Sequence, residues 1–148
     1  MPLYRPPVGF HFRVEVLGLP SGENEMRFTE VGGLAAELTT EEVPEGGENR
    51  YVQRYPVRAK YPDLVCKRGL LVKSQIWDWV HGAIDNLAAT PKDIDVSLLN
   101  DRHEPLVTWH VRGAWPLKWA VSDLNASANA VVVETLTFAY QSFAVDKG

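Results

Sequence analysis

A mainly-β fold, an antiparallel sandwich or barrel with one packed helix, is what this sequence predicts. Three observations carry the expectation. Apolar and polar residues alternate with a period of two along most of the chain, the pattern of strands with one buried face. Clusters of Gly, Pro, Asn, Asp and Ser punctuate those runs at short intervals, and each supplies turn dihedrals or turn hydrogen bonds. Only residues 74–87 carry apolar side chains at helical spacing. There is no strand–helix–strand alternation, so a parallel sheet is not expected.

The elements follow in order. Residues 4–9 are proline-rich and extended. Phe10, Phe12, Val14 and Val16 then share one strand face, with His11, Arg13 and Glu15 on the other. Residues 20–24 turn, and residues 26–31 return as the second arm of a hairpin. Gly32-Gly33 interrupts the pattern, as at a bulge or a close backbone approach. Residues 34–43 and 51–59 read as two further strands, joined by the loop Pro44-Glu45-Gly46-Gly47-Glu48-Asn49. Residues 64–71 form a strand that breaks near Gly69. Ser74 is placed to cap the helix, whose stripe is Ile76, Val80, Ala83, Ile84 and Leu87, flanked by Trp77 and Trp79. Residues 94–98 and 106–111 make a hairpin about a polar turn at 100–105. Residues 115–121 and 131–140 are the last two strands. The expected total is seven to nine strands. The expected core includes Phe10, Phe12, Val14, Leu34, Trp77, Val80, Ile84, Trp109, Trp115 and Leu117.

Composition bounds the function. A chain of 148 residues with 45% hydrophobic content suits one domain spanning 1–148. Cys66 is the single cysteine, which excludes an internal disulfide framework and a cysteine-based zinc site. A net charge of −4 argues against a nucleic-acid binder driven by counterion release. Neither a secretory h-region nor a membrane-spanning apolar run is visible, so synthesis in a reducing cytoplasm is the expectation.

Chemistry is sparse. His11, His81, His103 and His110 form no metalloprotease spacing. Gly46-Gly47 lacks the Gly-Lys-Ser/Thr ending of a phosphate loop, and no helix follows it. There is no Gly-x-Ser-x-Gly elbow. Cys66 sits at an apolar strand position and reads as a buried small hydrophobe. No catalytic, cofactor or metal residue is therefore expected, and the protein is not expected to be an enzyme. Trp77, Trp79, Trp109, Trp115 and Trp119 read as core packing and subunit contacts. The alternative is a ligand- or glycan-binding surface of exposed tryptophans.

Charge is segregated about the glycine-rich loop. Glu37, Glu41, Glu42, Glu45 and Glu48 precede or lie in it, whereas Arg50, Arg54, Arg58, Lys60, Lys67, Arg68 and Lys73 follow. Two extended arms of opposite sign meet at one tip. They can pair within the hairpin or between neighbouring subunits of a ring.

The ordered pieces resemble a known family. They are Phe10-His11-Phe12-Arg13-Val14, Phe28-Thr29-Glu30-Val31-Gly32-Gly33-Leu34, Glu45-Gly46-Gly47, Lys60-Tyr61-Pro62-Asp63-Leu64 and Lys67-Arg68-Gly69. Trp77-Asp78-Trp79, Ser97-Leu98-Leu99-Asn100, Trp109, Ala114-Trp115-Pro116-Leu117-Lys118 and Glu134 complete the set. Together they resemble the tube proteins of contractile phage tails and phage-tail-like injection systems, which are similar in fold to the haemolysin-coregulated protein of type VI secretion. The resemblance implies a structural subunit that forms homo-hexameric rings, stacked as a hollow inner tube within a sheath. Sheath subunits, spike or hub and baseplate proteins are the implied partners, with cargo in the lumen and no cofactor. The implied location is a phage tail, or an extracellular or membrane-anchored injector.

The implied interface or lumen set is Glu37, Glu41, Glu42, Glu45, Gly46, Gly47, Arg50, Arg54, Arg58, Lys67 and Arg68. Pro44 stands where relatives often carry arginine, the turn at 20–25 is longer than usual, and Tyr140-Gln141-Ser142-Phe143 replaces a frequent His-Glu pair. The Phe-His-Phe opening and the block from His103-Glu104-Pro105 to Lys118 resemble the hub-proximal paralogue more than the shaft type.

Overall fold

The computed structural model describes residues 11–20, 26–43, 52–71, 73–127 and 131–147. Among them are ten strands and one helix: β1 (His11–Val16), β2 (Arg27–Phe28), β3 (Glu30–Gly32), β4 (Glu37–Val43), β5 (Gln53–Lys60), β6 (Leu64–Gly69), α1 (Gln75–Asn86), β7 (Lys92–Leu99), β8 (Pro105–Val121), β9 (Val133–Ala139) and β10 (Ser142–Asp146). All the pairings are antiparallel. The fold is mainly β with a single helix.

The main sheet runs β2-β1-β7-β8-β9-β6-β3, with β10 added on β8. Its two ends are β2 and β3, which are consecutive in the chain and separated only by Thr29. A sheet whose first and last strands lie one residue apart has curled round on itself. Thr29 seals the junction: its backbone N–H and its hydroxyl both donate to the Lys67 carbonyl, at 2.9 Å and 3.1 Å. The expected second strand is thus two short strands that change neighbours at Thr29.

Side chains that point inward fill the curl. Val14 and Val16 of β1, Leu64 and Cys66 of β6, Ile94 and Val96 of β7, and Leu136 and Phe138 of β9 are buried, in the period-two pattern of each strand. Helix α1 closes one side with Ile76 and Val80. Ser74 caps it by accepting the Trp77 N–H at 2.9 Å. Leu87 ends it in the left-handed region.

Three expected core residues are corrected. Ile84 is 43% exposed, Trp115 40% and Leu117 42%. The expected strands at 106–111 and 115–121 are one strand, β8, which passes from β7 to β9 as its main partner. Gly113 has φ +66 at the changeover. A register shift follows between Pro116 and Lys118. The change of phase at Gly113 turns Ala114 and Pro116 inward and Trp115 and Leu117 out, and the shift beyond Pro116 returns Trp119 to the core side. Ile84 lies a turn beyond the buried half of the helix stripe. Of the other expected core residues, Val14 and Val80 are buried, Phe12, Leu34, Trp77 and Trp109 are half-buried, and Phe10 lies outside the described residues.

Strand β10 was not anticipated. It pairs with β8 from Ser142↔Arg112 to Asp146↔Thr108. Its turn rests on a bond from the Gln141 N–H to the Arg112 carbonyl, 2.9 Å, a long-range contact without a local sequence signal.

Candidate assembly interface

The hairpin of β4 and β5 is a sheet of its own. Its register runs from Glu37↔Lys60 to Val43↔Gln53, with a bulge between Thr39 and Thr40. Neither face is buried: almost every residue of both strands is exposed, including Leu38, Val43, Tyr55 and Val57. Of the alternation expected for residues 34–43, Leu34 packs against the core, and the part from Glu37 onward covers nothing within the monomer. Large apolar side chains left open on a strand ribbon make a surface prone to association.

The root of the hairpin is firmly held. Gly33 has φ +91, and a Cβ there would sit 2.0 Å from the Asp63 carbonyl oxygen. Only glycine admits that approach of the two arms. The Tyr140 hydroxyl donates to the Gly33 carbonyl at 3.0 Å. Its ring meets Tyr61 at 5.7 Å and Phe143 at 6.2 Å between centroids. Burial, then the charges of Tyr61 and Asp63, hold the Tyr140 phenol above its ordinary pKa. The phenol thus remains a donor. Beyond this anchor a cleft of about 720 Å³ separates the arms from the body, lined by Glu41, Arg58, Lys60, Tyr61 and Tyr140 among others.

The charges on the arms are set opposite each other without closing on each other. Glu37 lies across from Lys60 and Glu42 across from Arg54. Arg54 instead donates to the Thr40 hydroxyl at 3.1 Å. Among the described residues, no ion pair joins Glu37, Glu41 or Glu42 to Arg54, Arg58 or Lys60. Glu45, Gly46, Gly47, Glu48 and Arg50 lie outside the described residues.

Lys67 and Arg68 lie on β6, outside the hairpin. Lys67 reaches Glu30 across β6 and β3 at 3.8 Å. Arg68 is corrected outright: it is 3% exposed, and so cannot line a lumen. Its Nε donates to Glu134 Oε1, and a second guanidinium nitrogen donates to Ser74 Oγ at 2.9 Å. The second Glu134 oxygen accepts from Trp119 Nε1 at 3.1 Å. The guanidinium lies 4.7 Å from the Phe28 ring centroid. One buried ion pair thus ties β6, β9, β8 and the helix cap together. Sequence reading missed it because Arg68 and Glu134 are neighbours only through the β6–β9 register.

The tryptophans are mostly committed inside. Trp77 stacks on His81 at 3.5 Å and meets Trp119 edge-on at 6.2 Å. Trp79 stacks on Phe138 at 5.7 Å, and Trp109 packs against the core. Trp115 alone is strongly exposed. A ligand platform of several open indoles is not present among the described residues. Nor, among them, is any cluster of three metal-ligating side chains. Burial pushes the Cys66 thiol up to about 12, with Arg68 opposing, which holds it in the unreactive protonated form at neutral pH.

A curled antiparallel sheet, one helix and an outlying charged hairpin are the frame into which the family comparison fits. The family model described as T4-like virus tail tube protein gp19 matches residues 8–144. The chain belongs to this tail tube family. It is a structural tube subunit.

Solved structures agree in fold. A chain in the cryo-EM structure of the anti-feeding prophage baseplate superposes with TM-score 0.80 at 24% identity, covering 97% of this chain and 97% of that one. A chain in the PVC sheath/tube terminator of an extracellular contractile injection system gives TM-score 0.77 at 26% identity, covering 97% and 98%. Hcp1 from Flavobacterium johnsoniae gives TM-score 0.59 at 12% identity, covering 93% and 96%. The curated protein sequences contain no match.

Proposed function

We propose that this tail tube subunit acts as one domain over residues 1–148, closes head to tail into six-membered rings, and stacks those rings into a hollow tube inside a contractile sheath. The hairpin of β4 and β5 carries the reading: it stands off the body, has no buried face, and presents unpaired charges of opposite sign. In a head-to-tail ring the acidic arm of one copy meets the basic arm of the next, a contact that repeats until the ring closes. The apolar side chains between the charges supply buried area, and the charges set the register.

Sheath, spike or hub and baseplate proteins are the partners of this reading, and cargo occupies the lumen. It is supported by the particles in which fold relatives are found, a baseplate and a sheath/tube terminator. Its setting is a phage tail or an injection particle, after synthesis in the cytoplasm. Among the described residues, no helix is long and apolar enough to cross a membrane. The role is mechanical rather than catalytic: the tube must remain intact while the sheath drives it forward. Hub-proximal placement remains part of the proposal, on the resemblance of the Phe10-His11-Phe12 opening.

Electron microscopy of the purified protein tests it. Wild-type protein is expected to form rings or short tubes, and Arg54→Glu with Arg58→Glu is expected to abolish them while the circular dichroism spectrum is unchanged. Normal tubes from the double variant would show that assembly does not use these charges.

A further inference from the structure

The sheet carries a cluster of three titratable side chains from three strands. His110 lies on β8 between two carboxylates. Its Nδ1 is 2.8 Å from Asp95 Oδ1 on β7, and its Nε2 is 3.9 Å from Asp146 Oδ2 on β10. The register brings them together, since Asp95 and Ala144 both face His110 and Asp146 faces Thr108. Strand β10 pairs with β8 alone, its Phe143 packs on Tyr61 and Tyr140 near its start, and Asp146 is its last residue. We propose that His110 is a pH-dependent latch, fastening the end of the terminal strand β10 to the sheet when its ring is protonated and releasing it when the ring is neutral.

The chemistry follows from proton count. A neutral imidazole has one N–H. Spent on Asp95 through Nδ1, it leaves the Nε2 lone pair facing the Asp146 carboxylate, which repels it. An imidazolium offers an N–H on both sides and attracts both carboxylates. Histidine is the side chain that ordinarily changes charge between about pH 5 and 8. The remaining charged neighbours are few. Arg112 is two residues along β8 and faces Ser142; Glu15 on β1 lies across from Asp95; Arg13 lies across from Ser97. Asp93 on β7 is engaged by the Gly113 N–H at 3.0 Å. Ser97 and Thr108 bond each other at 3.1 Å and are neutral. Among the described residues, Asp146 is the one β10 carboxylate within ion-pair distance of the ring.

Native-state hydrogen exchange of the full chain tests the latch. Protection of the amides of residues 143–146, corrected for intrinsic rates, is expected to be up to about fivefold greater at pH 5.5 than at pH 8, the range of an exposed ion pair. Protection of β7 amides should change little. Asp146→Asn, a change at an exposed position, should remove the pH dependence in β10, and His110→Gln should do the same. Equal protection at both pH values in the wild type, or a pH dependence that survives Asp146→Asn, would overturn the proposal.

Discussion

Arg68 and Glu134 face each other across β6 and β9, both inside the barrel. Their charges are tolerated because each partner has a further hydrogen bond beyond the pair, Arg68 to Ser74 and Glu134 from Trp119. Removing one partner leaves the other charge buried and alone, which costs far more than the pair contributes. Glu134→Leu is therefore expected to lower unfolding free energy by about 3–5 kcal/mol, measured by urea denaturation. The double change Arg68→Met, Glu134→Leu should recover a large part of that loss. No residue spacing announces this pair. Lys67-Arg68-Gly69 looks like one basic run, yet strand alternation sends Lys67 outward and Arg68 inward.

At the scale of elements, the start of α1 is the joint on which two systems depend. Ser74 accepts from the Trp77 N–H and from the Arg68 guanidinium. Ser74→Ala removes a cap, worth about 1 kcal/mol, and also leaves a buried charged N–H without its acceptor. A loss at or above about 2 kcal/mol is expected in the same denaturation assay, more than an ordinary cap. A loss well under 1 kcal/mol would show that the Arg68 contact contributes nothing. The helix and its cap were legible, since Ser74 precedes a 3.6-period stripe. The end of the stripe was not: Ile84 and Leu87 follow the period, but both are exposed, at a cleft they line with Trp115 and Leu117 of β8. The phase of β8 was hidden for a related reason. Gly113 at positive φ and the shift near Pro116 exchange the inward and outward sides, and neither can be counted from a pattern that assumes an unbroken strand.

Over the whole molecule, Cys66 reports on global integrity. It is fully buried among β-strand side chains, and its thiol is pushed up to about 12 from 9.0. Alkylation by iodoacetamide at pH 8 is expected only through opening of the barrel, at a rate that rises with urea. Fast labelling of native protein would contradict that burial. Because the folded state holds the thiol protonated, this group's contribution to stability is complete below about pH 9 and is lost as pH rises towards 12.

The sequence by itself determined the class of fold, the single helix with its cap, the hairpin with arms of opposite charge and the family. These rest on local periodicity, turn chemistry and an ordered set of motifs. Only the tertiary structure decided that β2 and β3 close the sheet on itself, that Arg68 is a core residue rather than an interface one, and that Trp115 and Leu117 face solvent. It also set His110 between two carboxylates. Each of these depends on which strand lies beside which, and in what register. A one-residue slip leaves composition and local period unchanged, but it moves every side chain to the opposite face.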